Sequence, residues 1–152
     1  MPDVSELVRG GGPSRKDRLG RAIVLVSLSA GGYDFADEKK ATAKNVRNRE
    51  YHHVYPKALL VEKHPDHLVN SALNCALISW ATNRKIGAKT PKEYISARAS
   101  DAKATDVQVR YRLESHLIPY DELISGDYLA FLEAKAVLVY SKMKKLTSGH
   151  VG

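Results

Sequence analysis

The sequence predicts an α+β domain, mostly helical and organised around a small β-hairpin that a helix follows and crosses. Residues 49–55 and Cys75–Ser79 have strand character, and Ser79 can cap a helix that starts at Trp80. Downstream, Thr90-Pro91-Lys92-Glu93 and Thr105-Asp106-Val107-Gln108 carry helix-start signals, the first with proline at the first helical position. With 152 residues, 43% of them hydrophobic, the chain suffices for one core and falls short of two ordinary ones.

Taken in order, residues 1–13 form a polar leader ending in Gly10-Gly11-Gly12-Pro13 and read as a linker. The folded unit is expected over 14–152, as the C-terminal domain of a longer protein. Ser14 can cap a helix bearing Leu19, Ile23, Val26 and Leu28, although the β-branched run 23–26 also suits a buried strand. Gly31-Gly32 ends that element, and 33–44 has the composition of a loop. A loop containing His64 and His67 joins the two strands. After them, one helix runs from Pro91 to about Ala99. A second turns Val107, Tyr111, Leu113 and Leu117 inward before Pro119. A last helix starts near Asp127 and buries Tyr128, Phe131, Leu132, the stem of Lys135, Leu138, Val139 and Leu146.

Lys and Arg total 24 against 17 Asp and Glu, a net charge of +7 with pI near 9.5, which favours a polyanionic partner. Cys75 is the only cysteine, which excludes an internal disulfide and a CxxC zinc site and suits a reducing, cytoplasmic setting. No apolar run approaches the roughly 20 residues of a membrane span. No signal peptide or Walker-type glycine loop is present.

The chemistry concentrates in His52-His53-Val54-Tyr55-Pro56, followed by Asn74 and, nine residues later, Asn83. Neighbouring strand residues point to opposite faces, so one imidazole can hold a metal while the other faces a substrate. The following helix can bring Asn83 back over the strand as an oxygen ligand. Phosphodiester hydrolysis needs little more than an activated water and a charge against the developing negative oxygens.

These residues resemble the HNH, or ββα-metal, endonucleases, and among them the C-terminal nuclease domain of GmrSD-type restriction proteins. The stretch from Leu68 through Asn74 and Asn83-Arg84-Lys85 to Ile95, and the segment from Arg112 to Pro119, are similar as well, so the likeness covers about half the chain. The resemblance implies a ββα-metal core with His53 as general base, His52 and Asn83 as metal ligands, and Asn74 bracing the loop and orienting the base. His52 stands where many members have Asp. Two neutral ligands leave the site without a formal negative charge, so metal affinity should be weak until a phosphate arrives. An oxygen-rich remainder suits Mg²⁺, and the imidazole also admits Mn²⁺, Ni²⁺ or Co²⁺.

The reaction implied is nicking or cleavage of double-stranded DNA, leaving a 5′-phosphate and 3′-hydroxyl, in restriction or defence against phage. The resemblance further implies an N-terminal nucleotide-hydrolysing sensor domain as partner. Arg84, with its fork of donors, and Lys57, Lys85 and Lys89 are the expected phosphate contacts, and Lys92 extends the same basic set. A catalytically silent DNA-binding module and an RNA-directed nuclease are the competing readings. His64-Pro65-Asp66-His67 reads as solvated turn chemistry, His116 as a helix-end histidine bonded to backbone, and Trp80 and Tyr94 as core.

Overall fold

The computed structural model describes residues 1–101 and 104–149, and in it an antiparallel pair of strands lies among eight described α-helices. The order is α1 (Val4–Arg9), α2 (Arg18–Leu28), β1 (Arg49–His53), α3 (Asp66–Val69), β2 (Cys75–Ser79), α4 (Trp80–Ile86), α5 (Pro91–Asp101), α6 (Asp106–Glu114), α7 (Tyr120–Ser125) and α8 (Tyr128–Thr147). Single 3₁₀ turns at Val46–Asn48, Lys57–Leu59 and Ala72–Asn74 shape the loops around the strands. The fold is α+β, as the sequence predicts. The unit expected over 14–152 includes residues 102–103 and 150–152, which lie outside the described residues.

The caps decide where most helices begin. Ser79 Oγ accepts from Thr82 N, Asp127 Oδ1 from Ala130 N, and Thr105 closes a reciprocal box with Gln108. Thr90 and Glu93 exchange the equivalent bonds at the start of α5. The run 23–26 is helical rather than extended. Its cap is Asp17, which receives Gly20 N at 2.8 Å, while the expected cap Ser14 instead receives Asp17 N. Gly31 and Gly32 end this part of the chain with positive φ, a region open to glycine without steric cost.

Residues 1–13, read from sequence as leader and linker, are part of the folded body. Leu7 of α1 is completely buried, and α1 packs against α8. The glycines that suggest flexibility serve close approach instead: Gly11 O accepts from Ala72 N, and a Cβ at Gly20 would run into the carbonyl oxygen of Gly12. Two further expectations are corrected. On α6 the buried residues are Val109, Arg112 and Leu113, whereas Val107 and Tyr111 face outward. That helix ends at Glu114, and Leu117 reverses the chain with φ of 53°. Leu138 and Leu146 of α8 are also exposed, because its inward stripe runs through Phe131, Leu132, Lys135, Ala136, Val139 and Met143.

The core lies between α8, α2 and the strand pair. Ile23 and Val24 of α2, Ile78 of β2 and Phe131, Leu132 and Val139 of α8 are buried together. Lys135 is wholly buried at this junction, its Nζ donating to Cys75 O at 3.0 Å. Among the described residues no helix is long and apolar enough to cross a membrane.

His116 is buried after α6, as expected of a helix-end histidine bonded to backbone. Its Nε2 donates to Tyr33 O at 2.6 Å, and its ring lies edge-on to Phe35. Burial pushes its pKa down to about 4, outweighing the bond to Tyr33, and burial does the same to His52. Both are therefore neutral in the folded protein at pH 6, where the unfolded chain takes up protons. Stability is at its plateau above about pH 6.5 and falls as pH drops toward 4, by roughly 2 kcal/mol per histidine between pH 7 and pH 5. Urea denaturation across this range should show the loss. His116→Gln, which can still donate to Tyr33, should remove about half of it, and a midpoint that does not move with pH would contradict the neutral assignment.

Candidate active site

β1 and β2 pair in the register Arg49↔Ser79, His52↔Ala76, His53↔Cys75. Alternation along β1 puts Glu50 and His52 on one face and Tyr51 and His53 on the other. The chain leaves β2 directly into α4, which packs on both strands. The first turns of α4 therefore lie over the face that carries His52.

Two buried polar side chains hold this junction. At one end Asn74, fully buried, grips the backbone of Tyr55 twice: Oδ1 accepts from Tyr55 N at 2.8 Å, and Nδ2 donates to Tyr55 O at 3.0 Å. At the other end Asp34 accepts from Ser79 N at 2.6 Å and from the hydroxyl of Thr82. Burial opposes the charge on Asp34, but the bonds from Thr82, Ser79 and Ala36 outweigh it and hold its pKa below the usual carboxylate value. Asp34 stands in a stretch the sequence marks only as loop.

His52 Nδ1 lies 2.9 Å from Asn83 Oδ1. Asn83 Nδ2 donates to Glu50 Oε2 at 3.0 Å, which orients the carboxamide with its oxygen toward His52. The His52 ring is buried edge-on to Phe35 and Tyr94, and among the described residues its Nε2 has no hydrogen-bond partner. His53 is half-buried. Burial first, then the neighbouring Lys57 ammonium, lowers its pKa, and a hydrogen bond with the Asn70 side chain partly offsets them. His52, His53, Asn83 and Lys57 border one cleft of about 290 Å³. Pro13, Ser14 and Asn70 stand on the other side of His53.

An imidazole nitrogen and a carboxamide oxygen are donor types that divalent cations accept, and His52 Nδ1 and Asn83 Oδ1, hydrogen-bonded at 2.9 Å, stand as close as cis ligands on an octahedral ion would, about 3 Å apart. A neutral imidazole can accept a cation in place of its Nδ1 proton. Among the described residues no three His, Cys, Asp or Glu side chains cluster as a ready cage, so the remaining positions would fall to water and phosphate oxygens.

The predicted site residues are thus largely brought together: His52 and Asn83 touch, His53 shares their cleft, and Asn74 braces the segment that follows. The basic residues divide. Lys57 lines the cleft, whereas Arg84 lies over the Trp80 ring at 4.4 Å, and Lys89 Nζ turns back to Lys85 O. Trp80, expected in the core, opens α4 and is 51% exposed. Tyr94 is buried as expected, its hydroxyl donating to Val54 O. Sequence reasoning did not assign Glu50, although its spacing of two from His52 on a strand places both on one face, nor did it give Asn70 or Asp34 a role.

Asn74→Ala would leave a buried N–H and C=O of Tyr55 unpaired, a cost of about 2–4 kcal/mol in denaturant unfolding. Loss of less than about 1 kcal/mol would show that the clasp does not hold this loop. Comparison with models of protein families, with curated proteins and with solved structures gave no match for this chain.

Proposed function

We propose that this chain is a metal-dependent HNH endonuclease domain of the ββα-metal type, which nicks or cleaves double-stranded DNA. The observation that carries the reading is the meeting of His52 Nδ1 and Asn83 Oδ1 at 2.9 Å, from strand and helix, with His53 on the wall of the same cleft. The succession β1, β2 and α4 and the clasp of Asn74 on the Tyr55 backbone support this reading.

In this reading His52 and Asn83 would hold one divalent cation, Mg²⁺ or Mn²⁺, and when bound it would supply positive charge against the phosphate and leaving oxygens. His53 takes the proton from the attacking water. Its lowered pKa favours the unprotonated imidazole, the form a base requires. A hydrogen bond with the Asn70 side chain orients the ring, and Lys57 offers an ammonium to the incoming phosphate. The net charge of +7 favours the polyanion, with affinity that falls steeply as added salt lessens the entropy gained when binding releases counterions. A role in restriction or phage defence, a cytoplasmic setting and a nucleotide-hydrolysing partner domain rest on the family resemblance and composition.

Plasmid DNA incubated with Mg²⁺ or Mn²⁺ should be nicked or linearised, and EDTA should stop the reaction. His53→Ala should lower the rate by about 10² to 10⁴ while leaving DNA binding in a mobility-shift assay intact. Full cleavage by that variant would reject the base assignment. A structured RNA cut in preference to the plasmid would move the substrate to RNA, and binding without cutting under every metal would leave a DNA-binding module.

A further inference from the structure

We infer that Glu50 is a positioning residue for the cation site, supplying from just outside the ligand pair the negative charge that His52 and Asn83 lack. The inference rests on the metal-site reading above and goes beyond it, since neither ligand carries charge. Three features point to it. Glu50 stands two residues before His52 on β1, on the same face, and α4 brings Asn83 over both. Its Oε2 accepts from Asn83 Nδ2 at 3.0 Å, while Asn83 Oδ1 meets His52 Nδ1 at 2.9 Å, so one carboxamide links carboxylate and imidazole in a single chain.

The direction of this chain matters. A carboxylate can only accept, so Glu50 obliges the amide to present its NH₂ outward and its oxygen to His52. With the amide reversed, an N–H would meet the place where a cation must sit, and the site would lose its oxygen ligand. The carboxylate also polarises the amide toward Oδ1 and attracts the cation over one intervening group. Outer partners of this kind change metal affinity by about 10- to 100-fold when removed. Burial does not explain the contact, because Glu50 itself is exposed and could hydrate freely.

Mn²⁺ titration followed by electron paramagnetic resonance, on the full chain without DNA, separates charge from geometry. Glu50→Gln can still accept from Asn83 through its own amide oxygen but has no charge; Glu50→Ala has neither. The wild type is expected to bind one Mn²⁺. Glu50→Gln should bind about 10- to 100-fold more weakly, with Glu50→Ala at least as weak. In plasmid cleavage the Mn²⁺ concentration for half-maximal rate should rise by a similar factor for Glu50→Gln, with the rate largely recovered at saturating Mn²⁺. Equal Mn²⁺ affinity for wild type and Glu50→Gln overturns the charge role, whatever Glu50→Ala does. So does a wild type that cleaves with Mn²⁺ yet binds none without DNA, and in either case metal-dependent cleavage keeps the nuclease reading intact. A wild type that neither binds Mn²⁺ nor cleaves with it, with or without DNA, removes both readings.

Discussion

Everything at this site depends on the register of β1 against β2. Side chains alternate with a period of two, so a slip of one residue would exchange the faces of His52 and His53 and carry Glu50 away from α4. A two-stranded ladder is marginal by itself in water, and this one is secured from outside. Asn74 pins one end through the Tyr55 backbone, and Asp34 pins the other through Ser79 and Thr82. Both are buried polar groups whose bonding capacity is directed at backbone or at a helix cap. Such groups tolerate little displacement, because an unpaired buried donor or acceptor costs more than the bond itself contributes.

The same arrangement separates the two imidazoles electrostatically. His52 lies against Phe35 and Tyr94 on the covered face, where charging it is disfavoured, and among the described residues its ring hydrogen-bonds to Asn83 Oδ1 alone. His53 looks across the cleft edge toward Asn70, with Lys57 close by. Adjacent in sequence, they differ in burial because the strand has a helix on one side and a partly open cleft on the other. Behind the strands, Lys135 is a buried cation. Burial lowers its pKa to about 8, and its ammonium bonds to Cys75 O, the residue paired with His53. A core lysine is a standing cost, set here against a fixed strand start.

Much of the architecture was legible because local chemistry specifies it. Ser79, Thr90, Thr105 and Asp127 each offer an oxygen to orphan helix N–H groups, and each starts a helix where its spacing predicts. Helices without such signals were harder. α7 begins after Pro119 with no side-chain cap, and α1 lies in a stretch whose following glycines suggest a linker. Gly11 and Gly12 are there because the chain must pass close to α2 and to Ala72, which composition cannot distinguish from flexibility. On α6 and α4, residue type misled. Tyr111 packs beside Tyr33 at the surface, and Trp80 stays exposed under the Arg84 guanidinium, since an apolar side chain is buried only if a partner element covers that face.

By itself the sequence determined the α+β class, the strand pair, the capped helices and the opposite facing of two adjacent histidines, all consequences of short-range geometry and bonding. The tertiary structure alone decided that Asn83 meets His52, that Glu50 sets the direction of the amide, that Asp34 anchors the turn into α4 and that residues 1–13 join the core. These are contacts between residues far apart in the chain, 33 residues for Asn83 and Glu50 and 60 for Lys135 and Cys75. No local rule reaches that far, because which side chains converge depends on how the elements pack, and packing is settled by the whole core at once.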